Sequence, residues 1–83
     1  MENFMKPTSL LARISRKPDI YHGKPTVRGL RYSVDMLLEL MASGMTHQEI
    51  LDDYPDLEND DLLACLEYAA RLTQTKSFQR VAL

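Results

Sequence analysis

The stretch that decides the fold is "SVDMLLELMASGMTHQEILDDYPDLENDDLLACLEYAARL", residues 33–72. Apolar residues recur in it every three or four positions, which is the period of an α-helix. Glycine and proline divide it into three such segments, so we predict three helices of about 11, 7 and 15 residues joined by short turns. The sequence therefore indicates a mainly α fold built on a three-helix unit of helix-turn-helix type.

The apolar positions of these helices predict which residues are buried. One stripe of the first helix consists of Val34, Leu37, Leu38 and Met41, and a second stripe beside it consists of Met36 and Leu40. The predicted buried face of the third helix consists of Leu62, Cys65, Leu66, Ala69 and Leu72. A chain of 83 residues is too short to bury both stripes of the first helix by itself. We therefore expect a homo-oligomer, a dimer or larger, with Met36 and Leu40 as contacts between the copies.

Local signals mark the helix ends. Ser33 is a favourable N-cap for the first helix, and Gly44 supplies its C-terminal stop. Thr46, followed three residues later by Glu49, predicts a capping box at the start of the second helix. Pro55 closes that helix.

The residues before the helices carry a different pattern. "LLARIS", residues 10–15, is typical of a short strand, and residues 20–32 combine β-leaning residues with turn formers. Gly23 and Gly29 are the positions that we expect at positive φ. The chain divides into an N-terminal arm (residues 1–9), a helix-turn-helix domain with a β-turn lead-in (residues 10–73) and a C-terminal tail (residues 74–83).

The charge of the chain is unevenly divided. Residues 1–31 carry a net charge of +5 and residues 32–83 a net charge of −7. This division indicates either a contact between the basic part and nucleic acid, or complementary pairing of the two parts within a monomer or dimer. The candidate nucleic-acid contacts are Arg16, Lys17, Lys24, Arg28 and Arg31. For Arg31, the alternative is an ion pair with Asp35 or Asp53.

No segment predicts a membrane span or secretion. Arg13 interrupts the short apolar run near the N-terminus, and no run of about 18 apolar residues exists. Cys65 is the single cysteine and cannot form an internal disulfide. We therefore expect a cytoplasmic protein without membrane contact.

No catalytic or metal-binding pattern stands out. "HGKPTVRG", residues 22–29, has its glycines and lysine in the wrong order for a phosphate-binding loop. His22, His47 and Cys65 lack the paired spacing of a zinc site. We expect no enzyme activity, no cofactor and no bound metal.

The C-terminal tail combines basic and apolar residues after an acidic helix. The candidate partner contacts in it are Lys76, Phe78, Arg80 and Val81. Arginine pairs bidentately with carboxylates, and an aromatic residue anchors a segment in an apolar groove. The alternative is that the apolar residues of the tail cover the dimer core of this protein.

Three segments together resemble the bacterial and archaeal domain-of-unknown-function family 433. They are "KPDIYHGKPTVRGLRYSV" (residues 17–34), "LLELMASGMTHQEILDDYPDL" (residues 37–57) and "DLLACLEYAARL" (residues 61–72). The chain departs from the family pattern at His22, Leu30 and Tyr32. The resemblance implies a homeodomain-like or winged helix-turn-helix fold. Because genes of this family often neighbour a PIN-like ribonuclease, it also implies a VapB-type antitoxin.

The start of the third helix conflicts with DNA reading. In helix-turn-helix proteins, the N-terminal residues of this helix enter the major groove. Here they are Glu58, Asn59, Asp60 and Asp61, and phosphates repel carboxylates. Two hypotheses follow. The first is an antitoxin-like protein that neutralises a PIN-like ribonuclease and binds its own operator DNA, and the alternative is a dimeric adaptor or oligomerisation module without nucleic-acid binding.

Overall fold

Residues 8–74 are described by a computed structural model of the chain. Their elements, in chain order, are helix α1 (Thr8–Leu11), strand β1 (Ile14–Ser15), a 3-10 turn (Tyr21–Gly23), strand β2 (Thr26–Val27) and helices α2 (Val34–Ala42), α3 (His47–Asp53) and α4 (Asn59–Thr73). The prediction of a mainly helical chain with three main helices and a short β segment is confirmed. The predicted tail contacts Lys76, Phe78, Arg80 and Val81 lie outside the described residues.

The predicted helix ends are confirmed. The Ser33 hydroxyl accepts a hydrogen bond from the amide of Met36 at 3.2 Å and caps α2. Thr46 and Glu49 form the capping box of α3, with bonds of 3.1 and 2.8 Å. Gly44 follows α2 with φ of +102°. These caps depend on residues only three positions apart, so the sequence predicts them directly.

The predicted strand over residues 10–15 is wrong in its first half. Leu10 and Leu11 end α1, whose first residues, Thr8 and Ser9, fall in what we assigned to the arm. Only Ile14 and Ser15 form β1, which pairs antiparallel with β2. The strand is short because its partner is short: Pro25 has no amide hydrogen before β2, and Arg28 turns the backbone to φ of +48° after it.

A tight turn follows β2 and brings the chain to α2. Arg28 and Gly29 both have positive φ, +48° and +70°, as the central residues of a type I′ turn do. The amide of Leu30 donates to the carbonyl of Val27 at 2.8 Å and closes the turn. Gly23 also has positive φ, so both glycine predictions are confirmed.

The core lies between α4, the other helices and β2. Its buried residues are Val27, Val34, Leu37, Ile50, Leu57, Leu62 and Cys65. The predicted buried face of α4 is wrong at Leu66 and Leu72, which are 43% and 41% exposed. Helix α1 and strand β1 pack against α4, where Asp61 and Ala64 are buried in addition to the predicted face. We call residues 10–32, which precede α2, the lead-in. Within residues 8–74, no helix is long and apolar enough to cross a membrane.

Candidate functional site

The carboxylate of Asp61 is the centre of a buried ion-pair network. Asp61 is the third residue of α4 and is fully buried. The guanidinium of Arg28 donates to both of its oxygens, from Nε at 2.9 Å and from Nη2 at 2.8 Å. Arg13 donates from Nη1 at 3.0 Å, and the amide of Glu58 donates at 2.8 Å in the capping box of α4. Four hydrogen bonds therefore replace the water that burial removes.

These donors keep Asp61 ionised. Burial by itself opposes ionisation, but the hydrogen bonds from Arg28, the Glu58 amide and Arg13 hold the pKa of Asp61 below its usual value. The same contacts raise the pKa of the Arg28 guanidinium, whose largest influence is its hydrogen bond to Asp61. Asp61 is therefore an anion bound to two cations in the folded protein at neutral pH.

The network also binds Arg13 and Arg28 to the acidic start of α4. Arg13 also reaches Glu58 Oε1 at 2.8 Å and Asp60 Oδ2 at 3.7 Å. Arg28 Nη2 donates to the carbonyl oxygen of Asp56 at 2.8 Å, just before the helix. The helix end that reads DNA in helix-turn-helix proteins is therefore hydrogen-bonded here to two arginines of the same chain.

The five predicted nucleic-acid contacts are not equivalent. Arg28 is committed to Asp61, and Lys24 Nζ pairs with Asp35 Oδ2 at 2.9 Å. The hydrogen bond from Ser33, followed by that from Lys24, lowers the pKa of Asp35. The sequence did not predict the pairs Arg28–Asp61 and Lys24–Asp35, because each base of the lead-in could pair with any of several acids.

The other three bases remain available to a ligand. Arg16 is exposed and uses only Nε, which donates to the carbonyl oxygen of Gly23 at 3.0 Å. Lys17 and Arg31 are exposed and make no ion pair or side-chain hydrogen bond within residues 8–74. The pairing of Arg31 with Asp35 or Asp53 that we considered is thus not formed.

An exposed aromatic residue lies among these bases. Tyr21 is 45% exposed, and its hydroxyl donates to the carbonyl oxygen of Arg31 at 2.9 Å. Tyr21 and His22 have φ of +50° and +55°, so with Gly23 they form a left-handed turn. We call Arg16, Lys17, Tyr21, His22 and Arg31 the basic-aromatic surface. Sequence reasoning missed Tyr21, although its place in a basic, turn-forming segment was a usable signal.

The predicted dimer contacts lie on an apolar surface of α2. Met36 and Leu40 are half-buried and pack against the core cluster. Beside the Lys24–Asp35 pair, an apolar groove of about 250 Å³ lies between α2 and α4. The groove is lined by Lys24, Pro25, Val34, Asp35, Leu38, Tyr68 and Leu72.

The described residues show no grouping typical of a metal centre. Within residues 8–74, no group of three or more histidine, cysteine or acidic side chains could hold a metal ion. Cys65 is buried in the core, and burial raises the pKa of its thiol to about 12. The thiol is therefore protonated and packs as a small apolar group.

The fold and the network define a small three-helix domain whose β lead-in is bound to its last helix by two arginines. A family model described as "Protein of unknown function (DUF433)" matches residues 14–69. The chain belongs to this family, and the match contains the β lead-in, α2, α3 and most of α4. No curated protein and no solved structure gives a significant match.

Proposed function

We propose that this protein is an antitoxin-like helix-turn-helix protein that neutralises a PIN-like ribonuclease and binds its own operator DNA. The homeodomain-like or winged assignment of its three-helix unit is part of this proposal. The observation that carries it is the set of exposed bases, Arg16, Lys17 and Arg31, none of which forms an ion pair within residues 8–74, whereas Arg28 is bound to the buried Asp61 of α4.

The bases indicate how operator DNA is held. Phosphate contacts supply most of the affinity of DNA-binding proteins and require exposed cations. Lys17 and Arg31 meet this requirement within residues 8–74, whereas Arg28 is committed to Asp61. The DNA contact is therefore assigned to the lead-in and the phosphate backbone, and the N-terminal turn of α4 is not the reading element.

Neutralisation of the nuclease is assigned to the C-terminal tail. PIN-like nucleases resemble one another in having an acidic, metal-binding active site, which a basic and apolar segment would occlude. The tail has this chemistry in Lys76, Phe78, Arg80 and Val81. Two copies of the chain would join through Met36 and Leu40.

Coexpression with a PIN-like nuclease tests the antitoxin role. We expect the full chain to restore growth and to copurify with the nuclease, and a chain truncated after Thr73 to lose both while keeping its helical circular dichroism and its oligomeric state. Failure of the full chain to restore growth would overturn the antitoxin role. If truncation melts the fold or separates the copies, the tail belongs to the core of this protein instead.

A second candidate function is a helical adaptor without nucleic-acid binding. The contacts of Arg13 and Arg28 with the start of α4 favour it, because they tie up the helix end by which helix-turn-helix proteins read bases. An electrophoretic shift with the upstream DNA separates the two functions. Specific binding that weakens steeply with salt supports the operator role, and no binding at low salt supports the adaptor.

A further inference from the structure

We propose that the basic-aromatic surface binds single-stranded nucleic acid, with Tyr21 stacking on a base and Lys17, Arg16 and Arg31 contacting the phosphates. This inference goes beyond the proposed function, because an operator is a duplex whereas stacking on a side chain requires an unpaired base. It depends neither on the nuclease nor on the C-terminal tail.

The ring of Tyr21 is both exposed and held in place. An aromatic ring normally contributes by burial, yet almost half of the surface of Tyr21 is exposed. Its hydroxyl is bound to the carbonyl oxygen of Arg31 at 2.9 Å, which holds the tip of the ring against the lead-in. The ring is thus held in place while part of it remains open to solvent, which is the condition for stacking on a base.

The backbone around Tyr21 explains how the ring stays outside the core. Residues 21–23 all have positive φ, and left-handed backbone is unfavourable for tyrosine and histidine. Two hydrogen bonds close the turn, from the amide of Gly23 to Ile20 and from the amide of Lys24 to Tyr21, each 3.1 Å long. Arg16 adds a third through the carbonyl of Gly23. The turn is therefore held by backbone hydrogen bonds and by the side chain of Arg16.

The neighbouring bases supply the phosphate contacts. Arg16 is bound to the same turn as Tyr21, and the backbone of Arg31 holds the Tyr21 hydroxyl. The side chain of Lys17 lies along Gly29, where an added Cβ would be 3.3 Å from Lys17 Cε. Cationic grooves with exposed aromatic rings are the usual means of binding single strands without sequence preference. A membrane surface would use the bases but has no planar group to stack on the ring.

Fluorescence anisotropy of the full chain with three labelled probes tests the proposal. The probes are a single-stranded 15-mer of thymidine, an abasic 15-mer and a 15-base-pair duplex, at low salt. We expect the thymidine strand to bind at least about fivefold more tightly than the abasic strand, since stacking on one base contributes that much or more. Equal binding of the thymidine and abasic strands, or tighter binding of the duplex, would overturn the proposal.

The variants separate stacking from charge. Tyr21→Asn removes the ring but tolerates the left-handed backbone, and we expect it to bind the thymidine strand at least about fivefold more weakly. Tyr21→Phe retains the ring but loses the hydrogen bond to Arg31, so it should bind more tightly than Tyr21→Asn and no more tightly than the wild type. Lys17→Gln and Arg31→Gln should weaken binding of the thymidine and abasic strands alike. Arg71→Gln, which removes the same charge on α4, should change neither, and thermal unfolding confirms that each variant is folded.

The outcomes also distinguish this proposal from the operator role. If only the duplex binds and Tyr21→Asn has no effect, the stacking proposal is wrong and the operator role stands. If the single strand binds through Tyr21 while operator DNA gives no shift, the stacking proposal stands and the operator role is wrong. If no probe binds at low salt, the stacking proposal is wrong, and the shift with the upstream DNA decides between the operator role and the adaptor.

Discussion

At the scale of the residue, Asp61 shows what a fully buried carboxylate requires. Two arginines and one amide hydrogen provide it with four hydrogen bonds. Taking a charge out of water costs several kcal/mol, so the carboxylate is stable there only while these partners are in place. The Arg28 side chain is 33% exposed, so water shares in its solvation. Loss of the ion pair is therefore most costly when it leaves the carboxylate of Asp61 buried without its partner.

We predict that Asp61→Asn destabilises the fold by about 2 kcal/mol, because the charged hydrogen bonds to the two arginines are weakened, while water still reaches both guanidinium groups and the amide of Glu58 keeps an acceptor. Urea unfolding measures the change. Asp60→Asn is the matched control: Asp60 is exposed and 3.7 Å from Arg13, and its loss should cost less than about 0.5 kcal/mol. Equal effects of the two substitutions would contradict this account of the network.

The lowered pKa of Asp61 also predicts a pH dependence. A carboxyl with a depressed pKa stabilises the fold fully above its unfolded-state pKa of about 3.9, and this contribution is lost as the pH falls towards the folded value. The difference in unfolding free energy between the wild type and Asp61→Asn should therefore be constant from about pH 5 upwards and shrink below about pH 4. A difference that grows on acidification would show that Asp61 is not stabilised as an anion.

At the scale of the element, local signals set the helix ends. Ser33, Thr46 and Glu49 each bond to an amide within three residues. Such contacts need no tertiary structure, which makes them readable in the sequence. They also fix where α2 and α3 begin, and so where the turns place α4.

We predict that Thr46→Ala destabilises the fold by about 1 kcal/mol, because the amide of Glu49 loses its cap. Thr73→Ala is the control: the Thr73 hydroxyl bonds to the carbonyl of Ala70 at the exposed end of α4, and its loss should be close to neutral. Thermal unfolding compares the two. A larger loss for Thr73→Ala would mean that the end of α4 carries more stability than the capping box.

Contacts between distant residues are what the sequence could not predict. Arg28 and Asp61 are 33 residues apart, and the surrounding segments offer several bases and several acids for pairing. Arg28 lies in a left-handed turn, and only the folded chain shows that this turn lies beside Asp61. The exposure of Leu66 has the same origin, because the lead-in covers the opposite side of α4. The helical period of the sequence predicts the apolar face of a helix, but it does not predict which segment of the chain packs against that face.

At the scale of the whole molecule, apolar surface remains outside the core. Tyr21, Leu66 and Leu72 are exposed, and Met36 and Leu40 are only half-buried. A chain of 83 residues has a small core and commonly gains stability by association.

We predict a dimer at tens of micromolar protein, corresponding to a dissociation free energy of about 6–7 kcal/mol or more. Sedimentation velocity measures it. Leu40→Lys should shift the protein towards the monomer, whereas Leu66→Lys, a change of the same kind on α4, should leave the dimer intact. A monomer for the wild type, or dissociation caused by Leu66→Lys alone, would contradict the assignment of the contact to α2.

The long separation within the arginine network has a consequence for synthesis of the chain. Ribosomes make Arg13 first and Arg28 second, and Asp61 follows them by 48 and 33 residues. Until it emerges, the nascent chain carries two cations with no buried anion to receive them, so the lead-in cannot dock. Translation that stops anywhere before Asp61 therefore releases a fragment in which Arg13 and Arg28 lack the carboxylate that binds them to α4, which is the form that proteases would remove.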